Sequence, residues 1–442
     1  MLLFLILILS FLFYGQTLNF YFISDDFYYL SFANFRSIFF PQHFSQHYIP
    51  LFLAVLLIIK KNFGLNPFPF HLLTVAVHLV NSVFFYVLAK QLLKGFLPLI
   101  AVAVFTFTFH SYETVFWITG LSLSLMLMFS LLTFNIFLYG LKTGKKSLLF
   151  LVNLFSIASI LSHEYGLSII IFICLYLLIF TRKKFAKYLY FILPPFLLWL
   201  SITVWKLISG ITLSSGAVTP YSFLTTVIKT FTYLLLPFPY ILDRLHKILI
   251  IVLFSLLLIF IYGKSSKPKL RLFLFLWLTF DILLIAATSL PQARYYYFIS
   301  VPAILLLLSV ISSISRKMVI LFALLIIFQG LIFLTGQKTY WSKTSMITKN
   351  QLKKIRLAYS ELPADKKIYL VNFPDSLNGP PWNAYLFRNG LDYAVKQLYS
   401  LDPKKLVFVN SGTGKYLRSD PYKKCHELTK LSIQGNRIIF YE

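Results

Sequence analysis

The sequence predicts an all-α polytopic membrane bundle of about eleven transmembrane helices, followed by a small C-terminal α/β domain. Three observations lead there. Of the 442 residues, 58% are hydrophobic and 12% charged, with a mean hydropathy of +0.78, far from the balance of an ordinary soluble domain. Apolar runs of spanning length, about 17–25 residues, recur along the chain. Lys and Arg gather in the short links between alternate runs, which is an orientation signal. The net charge of +27 therefore gives no argument for nucleic acid as a partner. Cys174 and Cys425 are the two cysteines, and they make neither a disulfide framework nor a metal motif.

Taken in order, residues 1 to about 23 form the first span. No Lys or Arg precedes its apolar core and no A-x-A site follows, so it is expected to remain as a span and not to be cleaved as a signal peptide. Tyr48 to Ile59 is apolar but short and ends in Lys60-Lys61; it is expected to lie at the outer interface within an outer loop, 24–67. Spans follow at roughly 68–89, 96–110, 117–140, 147–163, 165–180 and 188–205. The Ser, Thr, Gly and Pro content of 206–245 predicts an outer loop with one re-entrant or interfacial helix. Further spans are expected at about 246–262, 270–289, 297–314 and 318–335. Five basic clusters then share one side: Lys90 and Lys94; Lys142, Lys145 and Lys146; Arg182, Lys183, Lys184 and Lys187; Lys264, Lys267, Lys269 and Arg271; Arg316 and Lys317. The positive-inside rule makes that side cytoplasmic, with the N-terminus inside and the C-terminus outside.

From about Gly336 the composition changes, and Lys, Asp, Asn and Pro appear regularly. The expected division is a transmembrane domain over 1–335 and a soluble extracytoplasmic domain over 336–442. Within the second, helices are expected at Met346–Leu362 and Asn383–Ser400, and strands at Lys367–Asn372, Lys405–Asn410 and Asn436–Tyr441.

Acidic residues are scarce, 14 in all, and only six precede this C-terminal part: Asp25, Asp26, Glu113, Glu164, Asp243 and Asp281. With the topology above, none falls at a cytoplasmic link. An acid at the bilayer centre costs about 2.5–3.5 kcal/mol, and ionisable groups kept near a membrane mark function. Each motif also has a plainer explanation. Asp25-Asp26 can be a solvated marker of the membrane edge. His110 with Glu113, and His163 with Glu164, can be hydrogen-bonded helix ends. His71 and His78 fit packed or hydrogen-bonded roles. His43 and His47 stand i, i+4, which a metal would accept, but two histidines are weak grounds. Arg294, in Pro291-Gln-Ala-Arg294-Tyr-Tyr-Tyr297, can be an interfacial anchor. Jointly these groups are expected to line one outer cavity.

The order and spacing of the pieces resemble the polytopic GT-C glycosyltransferases, particularly the protein O-mannosyltransferase-like (glycosyltransferase family 39-like) and related bacterial branches. The likeness rests on Asp25-Asp26 in the first outer loop, Tyr48-Ile-Pro-Leu, Gly64-Leu-Asn-Pro-Phe-Pro-Phe-His71-Leu-Leu and His78-Leu-Val-Asn81. It continues through His110-Ser-Tyr-Glu113-Thr-Val-Phe-Trp117-Ile-Thr-Gly120 and Ser162-His163-Glu164, with Ala293-Arg294-Tyr295 as a later echo. The chain departs from many relatives in having Asp25-Asp26 for Asp-Glu and His163 for Lys. The resemblance implies a GT-C-like bundle that moves a sugar from a polyprenyl-phosphate donor to an extracytoplasmic hydroxyl with inversion, on a protein, lipid or surface glycan. It implies Asp25 as base, with Asp26 the alternative, and Arg294 facing the leaving phosphate, with His163 or a divalent metal as competitors. His110, Glu113, His163 and Glu164 would then contact substrate, or the glutamates would hold the metal. The other function classes are a transporter or flippase for a lipid-linked glycan, whose polar groups would sit near mid-membrane on repeated broken helices, and an inactive membrane scaffold.

Overall fold

The structure is a computed structural model. It describes residues 1–40, 47–145, 147–182, 185, 188, 191–209, 219–235, 267–287, 292–358, 360–361, 367–371, 373, 376–377, 384–387, 390–399, 406–410, 415–416 and 437–441. Among them helices dominate, as the apolar periodicity requires. In hydrocarbon every backbone N–H and C=O must be satisfied within the segment, which a helix does unaided.

Helix α1 (Leu2–Tyr14) runs into a 3-10 turn, Gly15–Asn19. Its exposed side is apolar (Leu2, Phe4, Leu5, Leu9, Leu12), while Tyr14 donates to the Thr106 carbonyl at 3.0 Å and pairs with the Ser111 hydroxyl at 2.7 Å. The loop beyond it is itself helical, with α2 (Asp25–Phe32), α3 (Phe35–Phe39) and α4 (Pro50–Phe63). The Lys60 ammonium ties α4 to α2 by donating to the Leu30 carbonyl at 2.7 Å. Helix α5 (Pro67–Leu92) starts at Asn66, whose side chain accepts from the Phe68 amide, with Pro67 at the first helical position.

Helix α6 (Leu97–Phe107) then breaks. A turn and α7 (Tyr112–Phe116) follow at 50° to it. Helices α8 (Leu121–Thr143) and α9 (Ser147–Ser162) form a hairpin after Gly144, which takes the left-handed conformation at φ +71. Next come α10 (Leu167–Phe180), α11 (Leu193–Ile208), α12 (Pro220–Leu235), α13 (Pro268–Ala286), α14 (Tyr296–Ile311) and α15 (Arg316–Ala358). Among the described residues, five helices are long and apolar enough to cross a membrane, or six if the bent pair counts as one span. Three shorter apolar helices, α9, the Glu164–Phe180 segment and α11, accompany them. The span expected at 246–262 lies outside the described residues, as do Asp243 and most of the link before it.

The change of composition at Gly336 does not interrupt α15, which is continuous for 43 residues. Along that helix the exposed side chains change from Ile320, Leu324, Leu325 and Phe328 to Ser342, Lys343, Lys349 and Asn350. The helix expected at Met346–Leu362 is its second half. Beyond it lie β1 (Lys367–Val371), the short β2 (Ser376–Leu377) and β3 (Ala384–Tyr385), α16 (Leu391–Tyr399), β4 (Leu406–Asn410), β5 (Lys415–Tyr416) and β6 (Arg437–Tyr441). The four-stranded sheet has the order β5-β4-β1-β6, with β1 and β4 parallel and β6 antiparallel to β1. Strands β2 and β3 form a separate antiparallel pair. Expected strands thus coincide with β1, β4 and β6, and α16 falls within the second expected helix.

Candidate active site

The bend after α6 places the first acidic group. Gly120 closes the 3-10 turn Ile118–Gly120 directly on the backbone of Glu113, where a Cβ would overlap the Glu113 carbonyl. Glu113 is thereby buried, 1% exposed, and meets Arg294 at the start of α14. Its Oε2 accepts the Arg294 backbone N–H at 3.0 Å and lies 3.9 Å from the guanidinium. The guanidinium stands over the rings of Trp117, at 5.1 Å, and Tyr295, at 5.5 Å, a setting in which a cation gains from the ring faces. Asp25 and Tyr385 lie within electrostatic reach of the same guanidinium.

The two adjacent aspartates have different surroundings. Asp26 is 1% exposed; its Oδ1 accepts from the Thr119 amide at 3.1 Å and the Thr119 hydroxyl at 3.0 Å, and its Oδ2 from the Ile23 amide at 3.1 Å. Burial pushes its carboxyl up to about 7, against those three hydrogen bonds, and Asp25 adds a smaller upward push. Asp25 is half-buried, with the Ser24 hydroxyl 3.4 Å from its Oδ1. Tyr29 and Arg294 lie within its electrostatic reach.

A second set of groups arrives from the α9–α10 junction. Glu164 Oε1 accepts from the Tyr48 amide at 2.6 Å and from the Lys206 ammonium, which is buried near the end of α11. His163 accepts the Tyr165 amide on Nδ1 at 3.3 Å, stacks obliquely on His47 with ring centres 4.8 Å apart, and faces Tyr165 and Tyr295. Desolvation, then His47, Arg294 and Lys206, hold His163 well below its usual range. Desolvation likewise lowers His47 to about 4, with Glu164 pulling the other way. Both rings are neutral near pH 7, so Arg294 and Lys206 supply the positive charge here.

The structure thus gathers Asp25, Asp26, Glu113, His163, Glu164 and Arg294 into one neighbourhood. It adds Lys206 and His47, which the sequence argument left out or gave another role. A lysine within an apolar helix, at the end opposite the basic links, was the available signal for Lys206. His110 has a different place. Its two ring nitrogens meet the Thr108 hydroxyl and the Tyr233 carbonyl, each at 2.9 Å, so it locks the bend of α6 to α12. His78 is bonded to the Tyr297 hydroxyl at 2.8 Å, the packed role its position within α5 predicts. Asp281 is fully buried in α13, lining a cavity with Ser130, Ser168, Trp277 and Phe298 that includes none of the clustered acids or Arg294. His43 lies outside the described residues. Among the described residues, no three His, Cys, Asp or Glu side chains form a metal-binding group.

What the arrangement offers is a half-buried carboxylate beside a buried, hydrogen-bonded one, two anchored cations and a neutral histidine pair at one end of an apolar bundle. No family model matches the chain, and no curated protein sequence does. Among solved structures, the chain is similar to ArnT from Cupriavidus metallidurans, which was crystallised bound to undecaprenyl phosphate. The TM-score is 0.50 and the identity 11%, with 96% of this chain and 87% of that one covered. It also matches an oligosaccharyltransferase from Archaeoglobus fulgidus, tethered to an acceptor peptide, at TM-score 0.48 and 13% identity, over 80% and 57% of the two chains. The likeness to ArnT, over nearly the whole of both chains, is one of fold.

Proposed function

We propose that this chain is a membrane glycosyltransferase that moves a sugar from a polyprenyl-phosphate donor to an acceptor hydroxyl, with inversion, at the extracytoplasmic face of the cell membrane. The observation that carries this reading is the Arg294–Glu113 pair, joined across 181 residues of sequence, with Asp25 within electrostatic reach of the same guanidinium. The fold likeness to ArnT, a protein that binds undecaprenyl phosphate, supports a donor whose lipid tail stays in the bilayer.

In the proposed reaction the acceptor oxygen attacks the anomeric carbon as the bond from that carbon to the phosphate oxygen breaks. The hydroxyl proton passes to Asp25, and the electron pair leaves with the phosphate. General base catalysis of this kind contributes typically 10²–10⁴-fold. The departing phosphate gains negative charge opposite Arg294, and a cation held in place beforehand stabilises it without reorganising. Glu113 aims that cation. Asp26 spends its oxygens on Ile23 and Thr119 and so orients the loop. His163, Glu164 and Lys206 would line the sugar or the acceptor. The acceptor is a protein, a lipid or a surface glycan.

The test uses purified protein in detergent with two labelled donors. Transfer from a polyprenyl-phosphate sugar and none from a nucleotide sugar alone is the expected result. Robust transfer from the nucleotide sugar would contradict the lipid-donor reading.

A further inference from the structure

Ser24, the residue just before Asp25, has φ +46 and ψ −123 and is the one non-glycine residue with positive φ among those described. An L-residue persists in such a conformation only where its surroundings over-determine it, and such residues cluster at functional sites. Here the surroundings come from two sides. From the bundle, Asp26 ties the Ile23 amide to Thr119. From the far end of the chain, the Leu386 carbonyl accepts the Ser24 amide at 2.6 Å. Gly390 is packed so closely on the Ser24 carbonyl that a Cβ would overlap it. The Gln397 amide reaches over from α16 to donate to the Phe27 carbonyl at 3.1 Å and the Ser31 hydroxyl at 3.2 Å. Tyr393 sets its ring against Tyr28 and Phe32, at 5.0 and 5.6 Å.

We infer that Leu386, Gly390, Tyr393 and Gln397 form a positioning clamp, which fixes the strained Ser24 backbone and thereby aims the Asp25 carboxylate at the acceptor hydroxyl. The inference rests on the proposed role of Asp25 as base. The Cα–Cβ direction of Asp25 follows from the backbone turn at Ser24, which the Asp26–Ile23 hydrogen bonds hold from within and the C-terminal contacts hold from outside. Gly390 is the central residue of the clamp because only a hydrogen in place of a side chain lets the two backbones approach. Neither Gly390 nor Gln397 needs to touch substrate, so both are positioning residues. The clamp also gives the C-terminal region a part in the proposed chemistry, since α16 carries Tyr393 and Gln397.

The test is steady-state kinetics of full-length Gly390→Ala, Gln397→Ala and Gly336→Ala with a labelled polyprenyl-phosphate sugar, alongside hydrogen exchange of residues 20–32. A Cβ at Gly336 meets nothing within 4 Å, so Gly336→Ala is expected to match wild type. A displacement of about 1 Å from productive geometry costs on the order of 10²-fold. Gly390→Ala should therefore lose about that factor in kcat with the donor KM changed only a few-fold, and exchange at 20–32 should quicken. Gln397→Ala, which keeps the glycine contact, should show the same split with a smaller loss. Unchanged kcat in both variants would overturn the clamp, as would a loss shared equally by kcat and donor affinity. If wild type transfers no sugar from any lipid-linked donor while Gly390→Ala still frees residues 20–32, the clamp on the loop stands and the transferase reading fails.

Discussion

Two helix junctions of this molecule have the same sequence signature, a histidine and a glutamate where one apolar helix hands over to the next, and the fold uses them in opposite ways. At His110–Glu113 the histidine is a structural lock, with both ring nitrogens taken by Thr108 and Tyr233, while the glutamate turns inward to Arg294. At His163–Glu164 the histidine joins the cluster by stacking on His47, and the glutamate anchors Lys206 and the Tyr48 amide. The local backbone differs at the two junctions. His110 belongs to the 3-10 turn Phe109–Ser111 and Glu113 to α7. His163 is the extended residue before the 3-10 turn Glu164–Gly166, which Glu164 begins. A shared motif therefore does not imply a shared role.

Each junction can be broken separately. The largest effect is expected at Arg294. Removing one partner of a buried ion pair costs about 3–5 kcal/mol, and Arg294→Ala leaves the buried Glu113 carboxylate without its cation. Thermal melts should show that loss, with donor affinity and turnover falling together. The double variant Arg294→Ala/Glu113→Gln should recover much of the stability and none of the turnover; recovery of turnover would show that Arg294 serves only to neutralise Glu113. Glu164→Gln comes next. A hydrogen bond to a charged group is worth about 1.5–3 kcal/mol, and the Glu164 side chain is partly open to solvent, so the expected destabilisation lies toward the lower figure.

The histidines sharpen the contrast. Replacing His110 by Ala removes two buried hydrogen bonds and should lower stability by about 1–3 kcal/mol, with turnover per folded molecule little changed. His163→Ala should do the reverse. Equal effects on both measures at both sites would remove the distinction between lock and cluster.

The smallest predicted effect is a pH slope. Asp26 has a folded-state value near 7 against about 3.9 in an unfolded chain. Between those values the native state binds more protons than the unfolded state, so the contribution of Asp26 to stability declines as pH rises from about 4 to about 7 and is flat above. His47, lowered to about 4 from about 6.5, contributes in the opposite sense over nearly the same interval. The two therefore offset each other in a wild-type curve. Measured as a difference, Asp26→Asn should gain on wild type as pH climbs from 4 to 8; a difference that does not move with pH would contradict the buried, elevated carboxyl.

Much of this was legible in the sequence because hydropathy acts locally. Each of α5, α8, α10 and α14 lies close to the apolar run that predicts it, and the scarcity of acid singled out Asp25, Asp26, Glu113 and Glu164 without any coordinates. Long-range pairing was not legible. Nothing in the spacing says that Glu113 will accept the amide of Arg294, 181 residues away, or that Gly390 will lie on Ser24. Lys206 was hidden by its surroundings, since one lysine hardly alters the hydropathy of α11. The fate of His110 depended on a backbone carbonyl at Tyr233, which any residue type supplies. The composition change at Gly336 falls inside α15 and not at the end of an element.

In the proposed reaction Asp25 takes the acceptor proton while Asp26 holds the loop in place. The most direct measurement is single-turnover transfer from a labelled polyprenyl-phosphate sugar by wild type, Asp25→Asn and Asp26→Asn at saturating donor. An amide keeps the shape of the carboxylate but takes up no proton near neutral pH. Asp25→Asn is therefore predicted to slow transfer by about 10²–10⁴-fold with donor binding preserved, and Asp26→Asn to lose less. Near-normal transfer in Asp25→Asn would contradict the account.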